Sequence, residues 1–278
     1  MMPKISLGHI NFVNCLPLTF AIETTNMRSE FNIESAVPAI LNSKIINGEL
    51  DITPVSSIIY ALNNDKLKIL PNVSISADGA VQSILLVSKK PITELDNKKI
   101  NLTAKSATSH CLLKIVLKEA YSLNCNYEII NVDMNNIISN EAEATLLIGD
   151  DALFSYHNRQ ADLFYYDIGA EWKVLTGLPM VYAVWVVNNE AKLDKADLKF
   201  AHDKIVQGFK DGFNNKNLAI ESVLNKVSFT AEQISEYLKV LNWDFTAKHK
   251  EALLKFYELA YNNGLIDKMP KIEFVEVE

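Results

Sequence analysis

The stretch Ile100–Ala120, INLTAKSATSHCLLKIVLKEA, constrains the fold of this chain more than any other. Ile100-Asn101-Leu102-Thr103 reads as a short buried strand, with Ile and Leu two apart and Thr suited to a pleated surface. Small residues follow, Ser106-Ala107-Thr108-Ser109. Then Leu112, Leu113, Val116, Leu117 and Ala120 recur at helical spacing, while Lys114, Lys118 and Glu119 take the opposite face. A strand that runs into a helix through Ser and Thr is suited to hold an anion. The first N–H groups of a helix have no internal partner, and the macrodipole places partial positive charge there. Ordinary N-capping by Ser106 or Thr108 accounts for one hydroxyl. The surplus of hydroxyls at this one helix start favours the anion site. Lys105 either adds charge to it or faces water; the residues alone leave that open.

The same device appears earlier in the chain. Leu50–Val55 reads as a strand, and Ser56-Ser57 opens a helix over Ile58–Asn63. Lys4–Ile10 alternates as the first strand, and Pro17 suits the first turn of the helix after it. Asn14 therefore stands at a strand-to-helix junction, where a side-chain amide caps a helix or meets a ligand. Phe31–Val37 reads as a strand and Pro38–Gly48 as a helix that Gly48 ends. Two extended pieces, Leu67–Leu70 and Val73–Ala77, lead to a turn at Asp78-Gly79. The strand Val81–Ser88 carries Ser83 near its start. Beyond the central helix, Tyr127–Val132 and Ala144–Ile148 are strands. Gly149-Asp150-Asp151-Ala152 begins a helix in which Asp151 is an N-cap or a cleft carboxylate. Val181–Val187, VYAVWVV, is the most apolar strand, and four helical segments follow it from Leu198 to Asn262.

Strands alternating with helices predict parallel sheets covered on both faces. The polar connection around Pro91 and the apolar strand at Val181 predict two chain crossings between two α/β lobes. Residues 1–88 and 182–278 then form one lobe, and 89–181 the other. In such folds a ligand sits beyond the carboxyl ends of the strands. Asn14, Ser56, Ser83, Ser106, Thr108 and Asp151 all fall at or near strand ends or helix starts. Their convergence predicts a site in the cleft between the lobes.

Composition narrows the function. With 278 residues and 49% hydrophobic content the chain can bury a sizeable core. A net charge of −7, with no cluster of Lys and Arg, argues against a nucleic-acid partner. Mean hydropathy of +0.05 and the lack of any apolar run of about 18 residues predict no membrane span. The N-terminal stretch has no signal-peptide pattern, so a cytoplasmic location is expected. Cys15, Cys111 and Cys125 show no CxxC spacing, and the five histidines form no ligand pair, so no metal is expected. There is no GxGxxG and no phosphate-binding loop, so no nucleotide cofactor is expected either. The oligomeric state is not legible.

Several runs together resemble the menaquinone-biosynthesis chorismate dehydratase family. They are Gly8-His9-Ile10 with Asn14-Cys15-Leu16-Pro17, and Gly48-Glu49-Leu50-Asp51-Ile52 leading into Pro54-Val55-Ser56-Ser57. To these add Asp78-Gly79 with Ser83, Leu102-Thr103 with Ser106–Ser109, and Leu147-Ile148-Gly149-Asp150-Asp151-Ala152-Leu153. The run Tyr166-Asp167-Ile168-Gly169-Ala170-Glu171-Trp172, continuing to Leu175-Thr176-Gly177-Leu178-Pro179, completes the set. His110 and Gln82 stand where the family pattern leads one to expect small or apolar residues.

The resemblance implies an α/β, bilobed type II periplasmic-binding-protein-like fold working as a cofactor-free cytoplasmic lyase. The implied reaction dehydrates chorismate to 3-[(1-carboxyvinyl)oxy]benzoate and opens the futalosine route to menaquinone. Within that frame Asn14 and Ser83 are the expected catalytic pair, and the proton acceptor is either the substrate's own enolpyruvyl carboxylate or Asp151. Ser56, Ser57, Ser106, Ala107, Thr108, Ser109 and Asp151 are expected to bind substrate. Arg28 and Arg159 are the only arginines and lie outside every matched run, so charge recognition falls to helix starts and hydroxyls. The competing class is a non-catalytic clamshell that binds a small carboxylate solute.

Overall fold

A computed structural model describes residues 4–139 and 141–277. Ten strands run β1 (Ser6–Ile10), β2 (Asn32–Ala36), β3 (Ile52–Ser56), β4 (Leu67–Ala77), β5 (Ile84–Ser88), β6 (Lys99–Thr103), β7 (Asn126–Ile130), β8 (Ala144–Ile148), β9 (Phe164–Asp167) and β10 (Met180–Asn188). They form two five-stranded sheets, in the orders β2-β1-β3-β10-β4 and β7-β6-β8-β5-β9. Each sheet is the core layer of one lobe.

Both sheets are mixed, where strand–helix alternation alone predicts parallel ones. In the first, β1 is parallel to β2 and β3, but β10 is antiparallel to β3 and β4. In the second, β6 is parallel to β7 and β8, but β5 is antiparallel to β8 and β9. The reason is the route of the chain. Strands joined by a helix within one lobe obey the parallel crossover rule. By contrast, β5 and β10 enter their sheets directly from the other lobe and run the opposite way.

That route also moves a lobe boundary. Ile84–Ser88, expected in the first lobe, is hydrogen-bonded on both sides within the second sheet. The chain therefore crosses before Ile84, between β4 and β5, and returns between Thr176 and Met180. Leu85, Leu86 and Val87 have no solvent exposure. Burying each stabilises the fold by about 1.5–3 kcal/mol, an upper estimate given residual burial in the unfolded chain. β4 is likewise one strand rather than two pieces. Its chain bends at Asn72, where φ is +58°, a region Asn tolerates better than most residues.

The first crossing is anchored by one carboxylate. Asp167, at the end of β9, accepts hydrogen bonds from the backbone N–H groups of Val81 and Gln82 at 2.9 and 2.6 Å. It also accepts from Gly169 and Ala170 at 3.0 and 3.1 Å, which caps the helix Ile168–Thr176. Burial pushes its carboxyl up, and these four N–H groups pull it back. Within this segment Ser83 N–H donates to the Val81 carbonyl across Gln82, whose φ is +63°. A non-glycine residue there is held by its surroundings.

The C-terminal helices brace the first lobe. Lys195–Asn214 lies against Leu16–Thr24, the helix that follows Asn14. A Cβ on Gly212 would fall 1.9 Å from the Pro17 carbonyl oxygen, so only glycine permits this approach. Trp243 adds a hydrogen bond from Nε1 to the Asn14 carbonyl at 3.0 Å. The turn carrying Asn14 is thereby fixed from two directions. Among the described residues no helix is long and apolar enough to cross a membrane.

Candidate active site

A cavity of about 430 Å³ lies between the two lobes, within the usual range for small-molecule sites. The loops after the carboxyl ends of four strands reach it. Phe12 and Asn14 follow β1, Ser56 ends β3, Ala104 to Ala107 and Ser109 follow β6, and Gly149 follows β8. Ser83 and Ile84 come from the first crossing, Tyr182 and Ala183 from β10, and Tyr237 from the helix Ala231–Val240. Gly149 adopts φ of +58° with the Phe12 ring against it, which lets β8 turn tightly into its helix.

The expected residues divide into two groups. Asn14, Ser56, Ser83, Ser106, Ala107 and Ser109 all line the cavity. Among the described residues Asn14 Oδ1 and Ser56 Oγ are buried with no hydrogen-bond partner. A buried polar atom without a partner costs about 1–3 kcal/mol, so both are suited to a hydrogen-bonding ligand. The Tyr182 hydroxyl is buried and unpartnered as well, but it lies over Gly169. Ser106 and Ser109 pair through their hydroxyls at 3.1 Å, and Ser109 N–H reaches Ser106 Oγ at 3.3 Å. Ser83 Oγ accepts from the Tyr237 hydroxyl at 2.9 Å, which leaves the Ser83 proton free to donate into the cavity.

Ser57, Thr108 and Asp151 are not on the cavity wall. Ser57 is fully buried and donates to the Val181 carbonyl at 2.6 Å. Thr108 Oγ1 accepts from the Ile58 backbone N–H at 3.0 Å. That N–H is one of the orphan donors at the start of the helix Ser57–Leu62. Asp151 forms an ion pair with Lys105. Its neighbour Asp150 is the more enclosed carboxyl, pushed up by burial and pulled back by the Val13 backbone.

The sequence reading left Lys105 open, named His110 only as a departure from the family pattern, and passed over Asn42, Tyr182 and Tyr237; all of these line the cavity. His110 Nε2 lies 2.7 Å from the Thr103 carbonyl. A carbonyl only accepts, so Nε2 carries the proton. Burial pushes the ring's pKa down, which favours the neutral form with Nδ1 as an acceptor. Among the described residues no Asp or Glu lines the cavity, and Lys105 is its one permanently cationic side chain. No group of three metal-ligating side chains gathers among the described residues. Such a wall can hold a small anion, orient it by hydroxyl and amide groups, and stabilise charge that develops on it.

The architecture is that of the periplasmic-binding-protein-like class. A Candida albicans protein described as having the generic periplasmic binding protein fold superposes with a TM-score of 0.70 at 15% identity, covering 100% of this chain and 99% of its own. An Archaeoglobus fulgidus protein superposes with a TM-score of 0.74 at 20% identity, covering 95% of this chain and 98% of that one. Residues 5–262 match the menaquinone biosynthesis family. The chorismate dehydratase of Thermus thermophilus is 31% identical over 210 residues, which is 70% of this chain and 74% of that protein. The chain belongs to this menaquinone-biosynthesis family.

Proposed function

We propose that this chain is a cytoplasmic chorismate dehydratase, forming 3-[(1-carboxyvinyl)oxy]benzoate in the first step of the futalosine route to menaquinone. The observation that carries the reading is one cavity wall, in a chain of this family, that combines Asn14, Ser83, Ser56, Ser106 and Ser109 with no carboxylate among the described residues. Chorismate is a dianion. A wall of neutral donors, helix-start N–H groups and a lysine suits it, and a wall carboxylate would repel it.

The reaction breaks the C–H bond at the ring carbon bearing the enolpyruvyl ether and the C–O bond of the neighbouring hydroxyl. The electron pair left by the proton is conjugated with the ring carboxylate, so a stepwise elimination runs through a stabilised anion. Its collapse expels the hydroxyl, and proton and hydroxyl leave as water while the ring becomes aromatic. Aromatisation supplies the driving force. The enzyme's part is orientation and anion stabilisation, worth up to about 7–11 kcal/mol in good geometry. In our reading the substrate's own enolpyruvyl carboxylate takes the proton. Asn14 orients the ring through its amide, whose Oδ1 is buried and unpartnered among the described residues. Ser83, its oxygen already engaged by Tyr237, donates a hydrogen bond to the departing hydroxyl, which takes up the proton held by the enolpyruvyl carboxylate and leaves as water.

The test is incubation of the purified protein with chorismate, following aromatic ultraviolet absorption. The unmodified protein should turn over, and Asn14→Ala and Ser83→Ala should each keep the fold by circular dichroism but lose at least about 100-fold in kcat, as when an oxyanion donor is removed. Tight binding of chorismate without turnover would instead support the solute-binding reading. Near-normal rates in both variants would remove Asn14 and Ser83 from the mechanism.

A further inference from the structure

Lys105 stands between Ala104 and Ser106, on the segment where β6 turns toward the helix Thr108–Glu119, and all three residues line the cavity. Its ammonium is paired with Asp151, on the first turn of the helix Gly149–His157, which is not on the cavity wall. The side chain of Lys105 is 56% exposed and that of Asp151 26%. One cation of the cleft is thus held at its edge by a carboxylate outside it. The two arginines do not supply an alternative. Arg28 pairs with Glu23 on the first lobe, and the Arg159 guanidinium lies over the rings of Tyr156 and Tyr165.

We propose that Lys105 is the carboxylate anchor of the cleft and that Asp151 is its resting counter-ion, displaced when substrate enters. This assignment rests on the reading of the cavity as a chorismate site. The ammonium sits on a flexible four-carbon stem with three donors, so rotation about the stem carries it from the rim toward the cavity. The pair it leaves is solvent-exposed, and such pairs are weak. The pair it joins is stronger, because the cavity is more enclosed. There a substrate carboxylate also meets the Ser106 and Ser109 hydroxyls and the partial positive charge of a helix start. Asp151 competes with substrate for the same ammonium and repels the incoming dianion. The two residues of one ion pair therefore act on affinity with opposite signs. A merely structural pair would give the same sign for both.

The experiment measures kcat, KM and, by calorimetry, the Kd of the dicarboxylate product for the unmodified protein, Lys105→Gln and Asp151→Asn. Each is measured at low and at high salt. Lys105→Gln should raise KM and Kd roughly 10- to 100-fold, the effect of losing a charge-assisted hydrogen bond, with kcat falling by a smaller factor. Asp151→Asn should lower both KM and Kd several-fold. Added salt should weaken binding to the unmodified protein and have much less effect on Lys105→Gln. Unchanged KM and Kd in Lys105→Gln would overturn the anchor, and unchanged or raised values in Asp151→Asn would overturn the counter-ion. An unmodified protein that neither binds the product nor turns over chorismate would bring down the chorismate reading and this assignment with it. Failure confined to the variants would bring down this assignment alone.

Discussion

The two strand-to-helix junctions that meet at the cleft look alike in sequence and behave differently in structure. After β3 the hydroxyls are Ser56 and Ser57; after β6 they are Ser106, Thr108 and Ser109. At the first junction, Ser56 faces the cavity unpartnered while Ser57 is tied to the Val181 carbonyl. At the second, Ser106 and Ser109 face the cavity while Thr108 accepts the Ile58 N–H of the first junction. One helix start is thus capped by a hydroxyl from the other lobe. Each junction divides its hydroxyls between ligand and framework, and the framework share of the second completes the first. A count of hydroxyls at a helix start identifies a junction. The partner of each hydroxyl identifies its task.

This division can be broken at three points, with stability effects that fall in order. Thr108→Val keeps the branched shape but leaves the buried Ile58 N–H without its acceptor. We expect a loss of about 1–3 kcal/mol in chemical denaturation, the penalty for an unsatisfied buried donor. Ser57→Ala removes the hydroxyl donor to the Val181 carbonyl, and a buried carbonyl tolerates being under-satisfied better than a buried N–H does. A smaller loss of about 1 kcal/mol should follow by the same measurement. Ser56→Ala removes a hydroxyl that has no protein partner, so its stability should be unchanged within about 0.5 kcal/mol. Its affinity for the dicarboxylate product should nonetheless fall several-fold by calorimetry. Should Ser56→Ala destabilise as much as Thr108→Val, the division between ligand and framework hydroxyls would not hold.

Much of this was legible before any coordinates. Leu112, Leu113, Val116 and Leu117 are buried on the helix Thr108–Glu119, because a 3.6-residue apolar period leaves few alternatives. Asn14, Ser56, Ser83, Ser106 and Ser109 reach one cavity because strand ends in such sheets face the same side. Other features were hidden for physical reasons. The apolar run at Ile84–Ser88 states that the strand is buried but not in which sheet, since its partners lie 56 or more residues away in β8 and 76 or more in β9. Tyr182 sits inside VYAVWVV and Tyr237 on an amphipathic helix, where an aromatic side chain reads as core. Thr108 shows the opposite case. Its side chain serves a distant backbone N–H that no local pattern can point to.

The four N–H bonds of Asp167 have a mechanical consequence. They rivet Val81 and Gln82 to the start of the helix Ile168–Thr176, so this length of the crossing turns as a piece of the second lobe. Any change of angle between the lobes must then be taken up before Val81, where Gly79 at φ of +123° has no atom near enough to crowd a Cβ. On the return, Trp172 Nε1 holds the Pro179 carbonyl at 3.0 Å, so the chain stays with the second lobe as far as Pro179. The first hinge pin is thus a span of about three residues, and a single buried carboxylate sets where it ends.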